Sequence, residues 1–204
     1  MTGLLVDYGG VLTTSVFESF RAFCRAEGVE PDTIPHLLVE DEETLAELHA
    51  FEVGRLEEAE FERRFAGRLG VAPERLLERI FAALGPDERM IGAVRAVRAA
   101  GVPTALVSNS WGLAIYDRPL LAELFDAELI SAEVGLRKPD PSIFLLAAKR
   151  LGLEPAECAM VDDLRPNLAA AEALGMAAVL HRSAEATIAA LERLLRIPLG
   201  FAGE

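Results

Sequence analysis

Cysteine is scarce in this chain: only Cys24 and Cys158 occur, far apart. Two scattered thiols make neither a disulfide framework nor a metal-binding cluster, and they fit a reduced, cytoplasmic setting. The three histidines, His36, His49 and His181, share no metal-ligand spacing either. No apolar run reaches the roughly 20 residues of a membrane span, because Arg or Glu breaks the Ala-rich stretches. No basic region precedes the first apolar run, which argues against a signal peptide. Positive charge is also in short supply. Lys and Arg number 20 against 33 Asp and Glu, a net charge of −13. That argues against a nucleic-acid or anionic-membrane surface, since both need basic patches. There is no internal repeat and no low-complexity tail. Apolar residues, by contrast, make up 51% of the 204 positions. This is enough for a sizeable core in one α/β domain with a modest insertion.

The rhythm of those apolar residues changes along the chain. "GLLVD", at residues 3–7, is a short continuous run, as in a strand buried on both faces. From Val16 to about Met90 the pattern is helical: "EETLAELHAF", "LEEAEFERRFAGRL" and "PERLLERIFAAL" repeat apolar residues at i, i+3 and i+4. Seven of the ten phenylalanines fall there, so the segment is expected to pack its own core. Beyond it, helices and strands alternate. "DERMIGAVRAVRAAG" is a helix closed by glycine, and "VPTALVSNS", "AELIS", "ECAMVDD" and "MAAVLHR" are strands. "DPSIFLLAAKRLG" has an Asp cap and a proline at the first helical position. Such alternation predicts an α/β fold with a doubly wound, Rossmann-like parallel sheet. The expected division is a core of residues 1–14 and 91–204, with a helical cap, 15–90, inserted after the first strand.

In such a sheet, ligands bind at the carboxyl ends of the strands. Asp7 ends the first strand, and Ser108 and Asn109 follow "TALV". Lys138 stands in "GLRKPDPSIF", and Asp162 and Asp163 end "CAMVDD". A carboxylate, a hydroxyl, a cation and an acid pair suit phosphoryl transfer. A carboxylate can attack phosphorus and split one hard step into two. Both partners are anionic, so a cation must lie between them, and Mg²⁺ prefers carboxylate and carbonyl oxygens. Asp7, Asp163 and the Gly9 carbonyl can supply these. Ser108, Lys138 and the backbone N–H groups near Gly9 and Gly10 can meet the remaining phosphoryl charge. Each feature alone has an ordinary structural explanation as a cap or turn; the four together, each at its own strand end, favour a site.

These four segments, "LLVDYGGVLT", "TALVSNS", "GLRKPDPSIF" and "CAMVDDLRPNLAAAEALGM", resemble the motifs of the haloacid dehalogenase-like hydrolase superfamily, in its subgroup with an early helical cap. The double acid of the fourth motif and the "SNSW" of the second resemble the N-terminal phosphatase domain of soluble epoxide hydrolase. Motif one is similar to that of small bacterial sugar-phosphate phosphatases. The resemblance implies Asp7 as nucleophile, Asp163 as a Mg²⁺ ligand, and Ser108 and Lys138 on the phosphoryl group with Asn109 beside them. It implies a supporting role for Asp162, holding Lys138 or a metal-bound water, and for Asn167, orienting Asp163 or that water. The turn at Gly54 and Arg55 corresponds to one that selects substrate in related caps, although an ordinary helix–helix turn explains it equally well. The expected substrate is a small phosphorylated metabolite, and the expected state a monomer or homodimer.

The sequence departs from that pattern at one place. Most phosphatases of the superfamily have a second Asp two residues after the nucleophile, and here that position is Gly9. Its absence favours leaving groups that need little protonation, unless the cap or Asp117 supplies an acid. Two alternatives stand beside the phosphatase: a 2-haloacid dehalogenase forming an ester on Asp7, and a non-catalytic phosphate-binding protein.

Overall fold

The computed structural model describes residues 1–199. Strand β1, Gly3–Val6, is buried along its whole length. Five helices follow: α1 Val16–Glu27, α2 Thr33–Glu40, α3 Glu42–Glu52, α4 Glu58–Leu69 and α5 Leu76–Ile80. The chain then alternates through α6 Glu88–Ala99, β2 Thr104–Ser108, α7 Arg118–Leu124, β3 Ala127–Ile130, α8 Ser131–Val134 and α9 Pro141–Leu151. It continues with β4 Cys158–Asp162, α10 Arg165–Ala173, β5 Ala177–Leu180 and α11 Ala184–Leu195. The strands form one parallel sheet ordered β3-β2-β1-β4-β5, the doubly wound α/β architecture that the alternation predicts.

The unbroken apolar character of β1 follows from its central place. Side chains alternate across a strand, so Leu4 and Val6 pack on one face with Met90, Val94, Ile188 and Leu191. Leu5 packs on the other, with Val107, Phe144 and Met160. Helices cover both faces, so no position on β1 can be polar until the strand ends. Asp7 is the first residue past that constraint, and its N–H still donates to Val161 O at 3.0 Å.

The helices between β1 and α6 form a separate cluster around Phe20, Phe23, Phe51, Phe61 and Phe65, with Trp111 packed against it. The chain leaves and returns side by side. Thr13 bridges Pro86, and Asp87 N–H donates to Leu12 O at 2.8 Å. The expected boundary at residue 91 falls inside α6. The Asp87 side chain caps that helix, and Met90 and Ile91 already belong to the sheet core. No helix among the described residues is long and apolar enough to cross a membrane.

Candidate active site

The sheet order puts β2 and β4 on either side of β1, so their carboxyl ends bring Ser108, Asp7 and Asp162 to one edge. Lys138 enters from the loop between α8 and α9. It is 1% exposed, with Nζ 2.8 Å from Asp7 Oδ1 and 2.7 Å from Asp162 Oδ2. Burial alone would lower the lysine pKa, but the Asp162 and Asp7 charges outweigh it and hold the ammonium above its ordinary value.

The adjacent acids of "VDD" differ in kind. Asp162, on the strand, is fully buried and engaged at both oxygens. Lys138 holds Oδ2, Leu164 N–H donates to Oδ1 at 2.8 Å, and Asn167 Nδ2 lies 3.0 and 3.1 Å from the pair. Asn167 Nδ2 is therefore turned to Asp162, where the resemblance had put the residue on Asp163 or a metal-bound water. Helix α10 starts just after the acids and turns Asn167 back onto the strand end. Asp163, past the strand, is half-buried. Burial, then Asp162 beside it, raises its pKa to about 6. Asp7 is also pushed up, by burial and by the Asp162 and Asp163 charges, against the opposing pull of Lys138. The Tyr8 N–H, 2.7 Å from Asp7 Oδ1, fixes the carboxylate's orientation.

Carboxylate oxygens of Asp7, Asp162 and Asp163 lie within 4.8 Å of one another. One ammonium faces three acids, and Asp162 is already spent on Lys138 and Asn167. Asp163, which makes no ion pair with Lys138, and Asp7, which shares that lysine with Asp162 through one oxygen, remain as hard oxygen donors, a set that fits Mg²⁺. Gly10 makes this approach possible. Its φ is +73°, and a Cβ there would stand 2.7 Å from Asp163 Oδ2. At Gly9 the obstacle is different: a Cβ would meet Val16 Cγ2 at 2.9 Å.

The remaining predicted residues take these places. Asn109 is spent on the Lys138 backbone. Its Nδ2 donates to Lys138 O at 2.9 Å, and its Oδ1 accepts from Lys138 N–H at 2.8 Å. The pair splints the lysine loop to the end of β2, so the Asn109 amide is turned to that backbone, where the resemblance had put it beside the phosphoryl group. Arg55 is exposed, on a turn whose Gly54 touches α8: a Cβ there would stand 2.9 Å from Ala132 O. The Asp117 carboxylate caps α7 by accepting from Leu120 N–H at 3.1 Å.

Three features escaped the sequence. Tyr116 Oη lies 2.8 Å from Ser108 Oγ. Ser131 Oγ accepts from Ser110 N–H at 2.8 Å and donates to Glu52 O, joining α3 to the loop after β2. Glu52, 4% exposed, accepts from Arg137 Nε at 2.6 Å. The one available signal was an acid, Glu52, inside the apolar stretch "AFEV"; Tyr116 and Ser131 belong to no motif.

Fold and site together define a doubly wound α/β protein with a carboxylate–lysine centre at the carboxyl edge of its sheet. The profile of the haloacid dehalogenase-like hydrolases matches residues 1–175, and the chain belongs to that family. Acyl-CoA dehydrogenase family member 10 of Mus musculus is 38% identical over 112 residues, 54% of this chain and 10% of that protein. Bifunctional epoxide hydrolase 2 of Rattus norvegicus is 29% identical over 58% of this chain and 23% of its own length. Glyceraldehyde 3-phosphate phosphatase of Methanopyrus kandleri is 35% identical over 50% of this chain and 46% of its own. The chain thus spans less than half the length of each of these relatives. Among solved structures, a HAD-like family hydrolase from Porphyromonas gingivalis superposes with a TM-score of 0.75 at 23% identity, covering 97% of this chain and 99% of that one. A HAD family enzyme from Bacteroides thetaiotaomicron, crystallised with magnesium and inorganic phosphate, gives 0.65 at 21% identity, covering 89% and 94%.

Proposed function

We propose that the chain is a Mg²⁺-dependent phosphatase acting on a small phosphorylated metabolite, with the phosphoryl group carried transiently on Asp7. The observation that carries this reading is the charge arrangement at the sheet edge: three carboxylates cluster there, and the one buried ammonium pairs with two of them, Asp7 and Asp162. Such a site is built to receive further positive charge. A relative named as a phosphatase and a structural neighbour holding magnesium and phosphate support the same reading.

In this reading Asp7 and Asp163, with the Gly9 carbonyl, hold Mg²⁺, which when bound supplies the charge that lets two anions meet. The Asp7 carboxylate attacks phosphorus, the bond to the leaving oxygen breaks, and an acyl phosphate forms. Lys138 and Ser108 hold the phosphoryl oxygens as charge shifts among them. Water then attacks phosphorus, releasing inorganic phosphate and restoring Asp7. Asp162 and Asn167 keep Lys138 in place throughout.

Glycine at position 9 offers no proton to the leaving oxygen. General acid help is worth about 10²- to 10⁴-fold. The substrates favoured are therefore those whose leaving group departs readily without it: anomeric sugar phosphates, aryl phosphates and acyl phosphates. The test is phosphate release from a metabolite panel with Mg²⁺ or with EDTA, beside Asp7→Asn. The expected result is Mg²⁺-dependent release, absent in the variant, with these three classes ahead of alkyl phosphates. EDTA-resistant halide release from a 2-haloacid would replace the proposal with the dehalogenase reading.

A further inference from the structure

Ser108 has a single side-chain hydrogen-bond partner among the described residues, the phenol of Tyr116 at 2.8 Å. Both are buried, at 2% and 6% exposure. The tyrosine is held from several directions. Its ring packs on that of Tyr8, with centroids 4.8 Å apart. The Tyr8 hydroxyl donates to the carbonyl of Ile115, the residue before Tyr116, at 3.0 Å. The Arg118 guanidinium lies over the Tyr116 ring, 5.7 Å from its centroid. Tyr8 itself follows Asp7 directly. One aromatic brace therefore links the end of β1 to the hydroxyl at the end of β2.

Each hydroxyl has one proton and can accept as well as donate. A bond between two hydroxyls uses one of the two protons. If Ser108 donates to Tyr116, its only proton is consumed and it meets a phosphoryl oxygen lone pair to lone pair. If Tyr116 donates, the serine proton is left for another acceptor. We propose that Tyr116 is a positioning residue whose phenol donates to Ser108 and so commits the serine hydroxyl as a hydrogen-bond donor to the phosphoryl group. The proposal rests on the phosphatase reading and adds to it a residue that lies outside all four motifs.

The test compares Tyr116→Phe in the wild-type and Ser108→Ala backgrounds. Phenylalanine keeps the ring against Tyr8 and removes only the hydroxyl. The readouts are the Kd for inorganic phosphate in Mg²⁺, by calorimetry, and kcat and KM for p-nitrophenyl phosphate. Tyr116→Phe is expected to weaken phosphate binding about tenfold, the scale of one hydrogen bond to a charged group. In the Ser108→Ala background it is expected to cause no further loss. A merely structural tyrosine would lower the unfolding midpoint and leave the Kd alone. Unchanged phosphate binding, or an equal loss in both backgrounds, would overturn the assignment. Should Tyr116→Phe fail to fold, Tyr8→Phe unties the brace at Ile115 and is expected to weaken phosphate binding in the same direction; no weakening there counts against the proposal. A wild-type protein that neither binds phosphate nor releases it from any substrate would sink the phosphatase reading itself. That outcome is distinct from a working enzyme indifferent to the phenol.

Discussion

Lys138 touches two carboxylates from a fully buried position, so replacing it has two separable effects. Breaking a buried ion pair by removing one partner costs about 3–5 kcal/mol. Lys138→Met is therefore expected to lower the unfolding free energy by about that much in urea and to abolish phosphate release. A second prediction concerns the crowded acids. Mg²⁺ at a hundred times its Kd adds about 2.7 kcal/mol of stability, several degrees of Tm for a chain of this size. Asp163→Asn is expected to lose that shift in a thermal melt, and an undiminished shift would move the ion elsewhere. The third concerns Gly9. An acid there needs the space that Val16 occupies, so Gly9→Asp is expected to help only with Val16→Ala. The double variant should raise kcat for an alkyl phosphate at least about tenfold; no gain would show that proton donation is not what limits turnover. At this scale the sequence was informative where an acid ended an apolar run, as at Asp7. Only the resemblance, not the residues themselves, separated Asp162 from Asp163. The two are adjacent in the chain, and only the strand's alternating faces turn one inward onto Lys138 and Asn167.

Helix α3 ends at Glu52, and that end is fastened to the sheet side of the molecule through Ser131 and Arg137. Ser131→Ala removes the relay and leaves the Ser110 N–H buried without a partner. The expected cost is about 1–3 kcal/mol, read from urea unfolding. Because Ser110 follows Asn109 on the loop after β2, kcat/KM is expected to fall as well; a stable, fully active variant would show the fastening to be dispensable. Most elements were readable. Strands fully buried in a parallel sheet are short apolar runs, and long amphipathic helices repeat on one face. The start of α6 was read at Asp87, which caps it, whereas the expected domain boundary at residue 91 falls inside that helix. The four-residue helix α8 was not legible, since its place depends on contacts from α3 and the Gly54 turn rather than on its own periodicity.

At the scale of the molecule, the topology was legible in the alternation of elements, whereas the pairing of Tyr116 with Ser108 was not. Loop-to-strand contacts leave no period in a sequence. The acidic excess of −13 makes long-range attraction of an anionic substrate weak. Binding is expected to strengthen as added salt screens that field, until the ions compete at the site. A fall in affinity from the lowest ionic strength onward would place a local basic patch at the entrance.

The central position of β1 has a consequence for how the protein is made. Leu4 pairs with Thr104 on one side and with Ala159 on the other, so β1, made before the other four described strands, completes its pairing only when β4 is made. Contacts this distant in sequence slow folding, and during synthesis the apolar "GLLV" must wait for β2, Thr104–Ser108, to gain its first partner and for β4, Cys158–Asp162, to gain its second. Asp7 reaches its place only when β4 arrives. Ribosome-bound chains stopped before residue 158 are expected to leave β1 open to protease, while longer ones protect it. Order of synthesis and order of assembly thus differ, and the nucleophile proposed for the enzyme is held in place by β4, a strand made long after it.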